Sequence, residues 1–554
     1  MGFKPNALYF TDGYKVGHKA MLAPGTTRLY GTGIPRSTKY CPKGITKIVS
    51  MGQQLTVRWL HDLFEDNFFK QSIDKALFFS KDMALYLGME YDGLHFIELH
   101  KLGYLPFQYQ ALPEGIETLP NIPHSTFINT VDGFGWLTLY LETIISSLSW
   151  KPQVAATIAL QYKRQATEWV MKTDPSQAFL IPYMCHDFSA RGTNPHDQIS
   201  IGLAHAACFR GSDTLVVIPA ARYYYDEPEN EVCINSVNAS KHSVSCTNIF
   251  YYKDKLEKGE LNDKIKEYYE FDLPCDGSID KPDYLAIAEW LMLRSWLVKF
   301  PKGILSYVCD TFNTWKSATH IAPRLKKEIM TREGKLVLRP DSGNPVDIIC
   351  GRNSDFVTPH IKCSEEEFKG VVELLWDTFE GTVNDQGYKV LDSHIGAIYG
   401  DSITPDRQVQ IYERLAAKGF AATNIVLGVG SYTYQYNTRD TTGYAIKGAW
   451  FEIEENFLAT PESVEWGVMT KRYNIYKDPI TDDGTKKSLK GFQFVYLEDG
   501  EYKVEGEVSE EKAYSEENIL KTIYKDGKFY NQTTLANVRT KIDSLVQTNI
   551  EVGV

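Results

Sequence analysis

The feature that most restricts the fold of this chain is a regular alternation of short apolar runs and helical patterns in its middle part. Apolar runs that predict strands lie at residues 179–184, 215–218, 304–308, 335–338, 395–399 and 424–427. Patterns that predict helices lie at residues 199–209, 284–298, 314–330, 365–379 and 405–418. Such alternation is typical of a parallel sheet with helical crossovers. We therefore predict an α/β protein with an irregular parallel α/β barrel at residues 179–431.

The segments on either side of the predicted barrel follow a different pattern. The N-terminal segment has helical patterns at residues 134–148 and 153–172, and Pro152 suits the start of the second helix. The C-terminal segment is rich in turns, with a hairpin signal at residues 498–500 and a last helix at 535–546. Neither segment is large enough for a core of its own. We expect residues 1–178 and 432–554 to form together a second, discontinuous α+β domain.

Composition argues against several classes of protein. The chain has 554 residues and a net charge of −12, whereas a nucleic-acid-binding protein needs a basic face. Its nine cysteines are scattered without a Cys-x-x-Cys pair, which indicates reduced thiols and a cytoplasmic location. The N-terminus lacks the apolar stretch of a signal peptide, and no clean apolar run reaches the length of a membrane span. We therefore expect neither nucleic-acid nor membrane partners.

Aspartates recur where predicted strands end: Asp187, Asp310, Asp341 and Asp401 each lie at or just beyond such an end. In barrels of parallel strands, active sites form at the carboxyl ends of the strands. Pro340 should end the pairing of its strand, while Arg339 can bind an anion and Asp341 can accept sugar hydroxyls or bind a divalent cation. The group indicates a site for a phosphate-bearing sugar, although aspartates also cap helices and strand ends for structural reasons.

Other motifs narrow the chemistry. The sequence contains neither a Walker A motif nor a Gly-x-Ser-x-Gly elbow, and its histidines lack the spacing of zinc ligands. Gly428-Val429-Gly430 follows a predicted strand, but Thr433 stands where a dinucleotide fingerprint needs its third glycine. The backbone amides of this turn can still approach a phosphate.

Six motifs follow one another in an order that is informative as a set. They are residues 11–15 (Thr-Asp-Gly-Tyr-Lys), 186–192 (His-Asp-Phe-Ser-Ala-Arg-Gly), 211–214 (Gly-Ser-Asp-Thr), 339–345 (Arg-Pro-Asp-Ser-Gly-Asn-Pro), 399–401 (Tyr-Gly-Asp) and 477–479 (Lys-Asp-Pro). Together they resemble the motifs of nicotinamide phosphoribosyltransferases, within the type II phosphoribosyltransferase family, along nearly the whole chain. The resemblance implies a transferase of NAD salvage, which converts nicotinamide and phosphoribosyl pyrophosphate to nicotinamide mononucleotide and pyrophosphate.

The resemblance also implies roles for individual residues. It assigns the pyrophosphate to Arg191 and Arg339, the ribose to Asp341, Gly400 and Asp401, the 5′-phosphate to Gly430, Ser431 and Arg439, and further substrate contacts to Ser306, Lys447 and Lys477. Asp310 and Asp341 match carboxylates near the sugar and are the candidate ligands of a Mg²⁺ cofactor, which they would bind directly or only through the substrate. Such a cation and basic side chains are needed because the leaving pyrophosphate is highly charged.

For the base pocket, the resemblance implies that Phe188 forms one wall and that Tyr14 of a second subunit forms the other. The protein would then be a homodimer with active sites at the subunit interface. Asp213 would accept a hydrogen bond from the carboxamide of nicotinamide and repel the carboxylate of nicotinate. His242 matches the histidine that the family phosphorylates with ATP, and we expect it to be catalytic together with Asp310 and Asp341. The sequence departs from the family pattern at Ala190, Asn238, Lys241 and Ser431.

Three alternatives remain open at this point. A nicotinate phosphoribosyltransferase would share the barrel and differ in the base pocket, where Asp213 argues against it. A Mg²⁺-dependent barrel lyase could use the same aspartates, but it would not need two aromatic walls or a turn for a 5′-phosphate. A non-catalytic binding protein would need fewer of the charged residues. Comparing turnover of the two bases distinguishes the first alternative.

Overall fold

Two seven-stranded sheets organise the computed structural model, which describes residues 4–352, 363–400, 402–458, 466–477, 480–481 and 488–551. The strands are β1 (Thr26–Ile34), β2 (Ile48–Val49), β3 (Phe107–Ala111), β4 (Glu117–Thr118), β5 (Ser125–Asn129), β6 (Cys185–Phe188), β7 (Gly211–Ser212), β8 (Asn238–Ala239), β9 (Leu305–Val308), β10 (Leu336–Arg339), β11 (Gly381–Val383), β12 (Lys389–Leu391), β13 (Ile395–Tyr399), β14 (Ile425–Gly430), β15 (Ala445–Leu458), β16 (Trp466–Asn474), β17 (Phe492–Glu498), β18 (Glu501–Val508), β19 (Lys521–Lys525) and β20 (Lys528–Phe529).

Helices surround and connect these sheets. They are α1 (His18–Met21), α2 (Gln53–Phe64), α3 (Asp74–Leu87), α4 (Leu94–Leu102), α5 (Gly135–Thr173), α6 (Pro195–Cys208), α7 (Val217–Tyr225), α8 (His242–Glu257), α9 (Asn262–Tyr269), α10 (Tyr284–Lys299), α11 (Thr314–Lys316), α12 (Ala322–Arg324), α13 (Lys326–Met330), α14 (Pro345–Cys350), α15 (Glu365–Lys369), α16 (Val371–Phe379), α17 (Pro405–Ala417), α18 (Ser431–Gln435), α19 (Glu510–Ala513) and α20 (Leu535–Glu551). Within the described ranges, no helix combines the length and the hydropathy needed to cross a bilayer.

The sheet in the middle of the chain is entirely parallel, in the order β7-β6-β14-β13-β10-β9-β8. Its two edges meet because Gly211 of β7 forms a parallel bridge with Asn235, three residues before β8 begins. The amide of Ser212 donates to the carbonyl of Asn235 at 3.1 Å across this seam. The sheet therefore closes into a barrel, which confirms the predicted fold class, and all its strands end on the same side.

The second seven-stranded sheet, β16-β15-β1-β5-β3-β19-β20, takes its strands from both ends of the chain. The first half of α5 packs on this sheet through Leu137 and Leu141. The second half of the same helix, with Leu160, packs instead in the core of the barrel, as does Val538 of α20. One helix therefore connects the two cores, and the predicted division of the chain at residues 178/179 and 431/432 stays a prediction.

Four predicted barrel strands are confirmed as β9, β10, β13 and β14, but two others are wrong. Residues 179–184 belong mostly to a 3-10 helix at Pro175–Tyr183, and the strand begins only at Cys185. Pro182 lacks the N–H that a ladder would need. Residues 215–218 lead into α7, where Val217, Ala220 and Ala221 are buried at helical spacing.

The two helices predicted at residues 134–148 and 153–172 are one continuous helix, α5, with Pro152 in its interior. Its proline ring packs on Gly52: a Cβ added to that glycine would lie 2.2 Å from Cγ of Pro152. An interior proline costs about 3 kcal/mol, which extensive burial of the helix on both sides offsets. The helix predicted at 365–379 is instead broken at Gly370, which has φ +77° and lies against Gly351, and the one predicted at 314–330 is divided into short turns.

Candidate active site

An aromatic ring lies against Gly428 at the carboxyl ends of the barrel strands. Phe188 ends β6 and is in register with Gly430, the last residue of β14. A Cβ added to Gly428 would lie 2.6 Å from Cδ2 of Phe188 and 2.9 Å from Cα of Gly400. Any side chain at position 428 would therefore displace the ring. The half-buried Phe188 keeps one region of its surface available to a ligand.

Asp213 follows β7, and His186 connects it to the Phe188 ring. Its Oδ1 accepts a hydrogen bond from Nε2 of His186 at 3.0 Å and another from the hydroxyl of Ser236. The His186 ring packs on Phe188 with centroids 4.6 Å apart. Burial on its own would raise the pKa of Asp213, but the hydrogen bonds from His186 and Ser236 hold it below its ordinary value, and the charge of Arg339 acts in the same direction. The carboxylate is therefore ionised.

The side chain of Asp187 does not line the mouth of the barrel, which is the surface formed by the carboxyl ends of its strands. This corrects the prediction that Asp187 belongs with the other strand-end aspartates. Its side chain is fully buried within β6. Its oxygens accept hydrogen bonds from the amide of Ser189 at 2.8 Å and from the hydroxyls of Thr214 at 2.6 Å and Ser212 at 3.3 Å. Asp187 therefore fixes the loops that follow β6 and β7.

Arg339, Asp341 and Gly400 come together at the ends of β10 and β13. A Cβ added to Gly400 would lie 2.7 Å from Oδ1 of Asp341 and 3.7 Å from Cδ of Arg339. Nη2 of Arg339 donates to the carbonyl of Ser240 at 3.0 Å. The rest of the guanidinium group makes no hydrogen bond in the described part of the chain, so it can still bind an anion. Asp401 lies outside the described residues.

His242 and Asp310 form the second histidine–aspartate pair of the mouth. Nε2 of His242, the first residue of α8, lies 2.8 Å from Oδ1 of Asp310. The segment before His242 is hydrogen-bonded to β9, since the amide of Ser240 donates to the carbonyl of Ser306 at 3.0 Å and its hydroxyl accepts from the amide of Val308 at 2.9 Å. The same Ser240 carbonyl binds Arg339, so His242 and the arginine share one support.

The turn after β14 is open on one side. Gly430 caps α18, and a Cβ added to it would have no atom within 4 Å. Ser431 points its side chain elsewhere: a Cβ added to Gly192 would lie 2.0 Å from Oγ of Ser431. Arg191, adjacent to Gly192, is exposed and forms no hydrogen bond or ion pair with any described residue. The glycine turn and Arg191 are therefore neighbours.

Three of the remaining predicted basic residues form a group. Burial lowers the pKa of Lys447 below its ordinary value, Glu142 opposes the shift, and the charges of Arg36, Lys477 and Arg439 add to it. The structure therefore places Lys477 and Arg439 within electrostatic range of Lys447. It adds Arg36, which no sequence motif indicates and whose Nε donates to the carbonyl of Gly443 at 2.9 Å.

Tyr14 is not brought to Phe188 within one chain. Its ring is 67% exposed and makes an edge contact with His18, with centroids 5.2 Å apart. The adjacent Lys15 forms an ion pair with Glu142 of α5. A role for Tyr14 in a second subunit's pocket stays a prediction.

Comparisons with known proteins agree with this geometry. The model of the nicotinate phosphoribosyltransferase (NAPRTase) family matches residues 183–528. A nicotinamide phosphoribosyltransferase of Acinetobacter baylyi is 35% identical over 557 residues, which cover 98% of each chain. The chain belongs to the nicotinate phosphoribosyltransferase family. It is thus an enzyme of the pentosyltransferase class.

Two further matches are a relative in sequence and a solved structure. A nicotinamide phosphoribosyltransferase of Mycoplasma pneumoniae is 32% identical over 357 residues, or 64% of this chain and 63% of that one. The crystal structure of human nicotinic acid phosphoribosyltransferase has a TM-score of 0.54 at 13% identity, covering 96% of this chain and 93% of the human one, and it supports the fold alone.

The residues that the structure describes include a cation, Arg339, at the carboxyl end of β10. Among these residues, no group of three or more histidine, cysteine, aspartate or glutamate side chains is arranged to hold a metal ion. Asp310 already binds His242, and Asp341 lies against Gly400. Carboxylate oxygens are of the type that suits a divalent cation whose other ligands are oxygens of a bound substrate.

Sequence reasoning missed His186, Ser236 and Ser240 as parts of the site. Side chains alternate between the two faces of a strand, so His186 and Phe188 of β6 face the same way and Asp187 faces the other. This period of two was present in the sequence and was the signal for His186. Ser236 and Ser240 lie on an irregular segment around β8, where no periodicity places a side chain.

Proposed function

We propose that the protein transfers the phosphoribosyl group of phosphoribosyl pyrophosphate to nicotinamide, giving nicotinamide mononucleotide and pyrophosphate in NAD salvage. The observation that carries this proposal is the ionised Asp213 next to the Phe188 ring, with one oxygen that no described residue occupies. A carboxamide can donate to that oxygen, whereas a nicotinate carboxylate would meet a like charge. The relative that matches along 98% of the chain has the nicotinamide name.

In the proposed reaction, the pyridine nitrogen forms a bond to the anomeric carbon while the bond from that carbon to the pyrophosphate oxygen breaks. Positive charge would develop on the ribose ring, and Asp341 would be the carboxylate that stabilises it. Arg339 and Arg191 would neutralise the departing pyrophosphate. The open turn at Gly430 would receive the 5′-phosphate, with Lys447 as part of the basic group that attracts it.

Mg²⁺ is the proposed cofactor. Asp310 and Asp341 would hold it together with oxygens of phosphoribosyl pyrophosphate, and it would supply positive charge to the leaving group. The protein's own residues would bind and orient the ribose around this position.

We also propose that ATP phosphorylates His242, with the γ-phosphoryl group bonding to an imidazole nitrogen as ADP leaves. The exposed ring and its hydrogen bond to Asp310 support this role, because a nucleophile needs access and a fixed orientation. The exposed Tyr14 supports a homodimer in which each subunit completes the other's base pocket. A cytoplasmic location is supported by nine unpaired cysteines.

The proposed function is tested by incubating the purified protein with phosphoribosyl pyrophosphate, Mg²⁺ and either nicotinamide or nicotinate. We expect nicotinamide mononucleotide as the main product. Formation of only nicotinate mononucleotide would establish the alternative function, that of a nicotinate phosphoribosyltransferase. Absence of both products, with Mg²⁺ and ATP present, would overturn the proposed function.

A further inference from the structure

We propose that His186 and Ser236 are positioning residues that set the preference for an amide over an acid, by fixing which oxygen of Asp213 meets the base. This inference rests on the proposed function and deepens it. Both residues donate to the same oxygen, Oδ1, from opposite sides of the seam that closes the barrel. His186 belongs to β6, and Ser236 follows Asn235 on the segment that leads to β8.

The argument begins with the lone pairs of the carboxylate. A carboxylate oxygen has two lone-pair directions, and the two donors occupy both of them on Oδ1. Oδ2 receives no hydrogen bond from the described residues. With either donor removed, the carboxylate could rotate or turn Oδ1 toward the ligand. With both in place, only Oδ2 is offered to a substrate.

The orientation of His186 is itself fixed by its surroundings. Its ring packs on Phe188 at an interplanar angle of 37°. On the other side, a Cβ added to Gly211 would lie 2.9 Å from Nδ1 of His186. Because an ionised carboxylate can only accept, the proton of this hydrogen bond belongs to Nε2 of the histidine. His186 therefore contacts both Phe188, the aromatic wall, and the Asp213 carboxylate, which would accept from the amide of the base.

The test measures kcat/KM for nicotinamide and for nicotinate in the full-length enzyme. His186→Phe keeps a flat ring against Phe188 and removes the donor. We expect it to lower the nicotinamide-to-nicotinate ratio by about tenfold, the value of one hydrogen bond to a charged group. His186→Gln, whose amide can reach the position of Nε2, should recover most of the ratio. Ser236→Ala should lower the ratio by a smaller factor.

A matched control exists at the other end of the barrel. His394, directly before β13, forms a hydrogen bond of 2.7 Å with Asp392. His394→Phe removes a histidine–aspartate pair of the same kind, and it should leave the ratio unchanged. If His186→Phe fails to fold, Ser236→Ala carries the test, because Ser236 is exposed.

The outcomes separate the inference from the proposed function. A purely structural role would lower kcat/KM for both bases equally, and an unchanged ratio in both His186→Phe and Ser236→Ala would overturn the inference. In an Asp213→Ala background, His186→Phe should have no further effect on the ratio, and an additional loss would also overturn it. A wild-type enzyme that forms neither mononucleotide would instead reject the proposed function.

Discussion

The two histidine–aspartate pairs at the mouth of the barrel share one chemistry and differ in which partner is buried. In the first pair, the His186 side chain is 11% exposed and that of Asp213 is 43% exposed. In the second pair, His242 is 46% exposed and Asp310 is 5% exposed. The hydrogen bonds are similar, at 3.0 and 2.8 Å. The buried partner fixes the exposed one, so the first pair offers an acceptor and the second offers an imidazole.

This reversal follows from where each residue lies in the barrel. His186 is inside β6, where strand pairing and the Phe188 ring cover it, whereas Asp213 lies in the loop after β7. Asp310 follows β9, and His242 stands at the exposed first position of α8. A carboxylate suits recognition of an amide, and an imidazole suits transfer of a phosphoryl group. The same pair of residue types can therefore have two functions in one site.

The largest effect is expected from removing the exposed member of the second pair. With γ-labelled ATP, the wild-type protein should acquire label and His242→Ala should acquire none. The reason is that His242 is the imidazole that the buried Asp310 orients. His394→Ala, from the partly buried His394–Asp392 pair outside the mouth, should be labelled like the wild type. Equal labelling of His242→Ala would show that this pair does not offer a nucleophile.

Removing the exposed member of the first pair should have the next largest effect. Asp213→Ala deletes both the acceptor for a carboxamide and the charge that repels a carboxylate. We expect the nicotinamide-to-nicotinate ratio of kcat/KM to fall roughly a hundredfold, the combined size of two such charged interactions. Asp213→Asn should retain an acceptor but lose the repulsion. Its ratio should lie between those of the wild type and Asp213→Ala. A ratio that stays at the wild-type value would remove Asp213 from base selection.

The phosphate side of the mouth differs from the two histidine–aspartate pairs. There, an uncharged contact between Gly192 and Ser431 determines the geometry. In Gly192→Ala, the new methyl group would lie 2.0 Å from Oγ of Ser431, so the turn of Arg191 or the turn of Gly430 must move. We expect KM for phosphoribosyl pyrophosphate to rise roughly tenfold, as small displacements of binding groups do. Adding Ser431→Gly should restore it. An unchanged KM in the single variant would show that the two turns are independent.

The sequence predicted those parts of the site that depend on local pattern, and it failed where distant segments meet. Arg339 ends the strand β10 and Asp341 follows it, and the apolar run of this strand is clear in the sequence. The barrel then brings this strand end next to the end of β13. Asp187 was misplaced because its position after an apolar run was considered without the two-residue period of a strand. Arg36 meets Lys447 only through pairing of the first and last thirds of the chain, whose register no local pattern shows. The wall expected from Tyr14 depends on a second subunit, and no single chain contains that geometry.

The smallest effect is expected on the pH dependence of stability. It comes from a buried carboxyl group that, unlike Asp213 and Asp310, has no histidine partner. Glu289 of α10 accepts hydrogen bonds from the hydroxyls of Tyr307 and Ser317, and burial raises its pKa to about 8. A raised carboxyl pKa means that the folded protein binds more protons than the unfolded chain between the ordinary value and about 8. The free energy of unfolding should therefore fall as pH rises through this range, by about 1.4 kcal/mol per pH unit at most. Glu289→Gln, which cannot ionise, should lose this slope, as measured by denaturant unfolding at pH 5 to 9. An identical slope in both proteins would mean that Glu289 is already ionised across this pH range and that its burial does not raise its pKa.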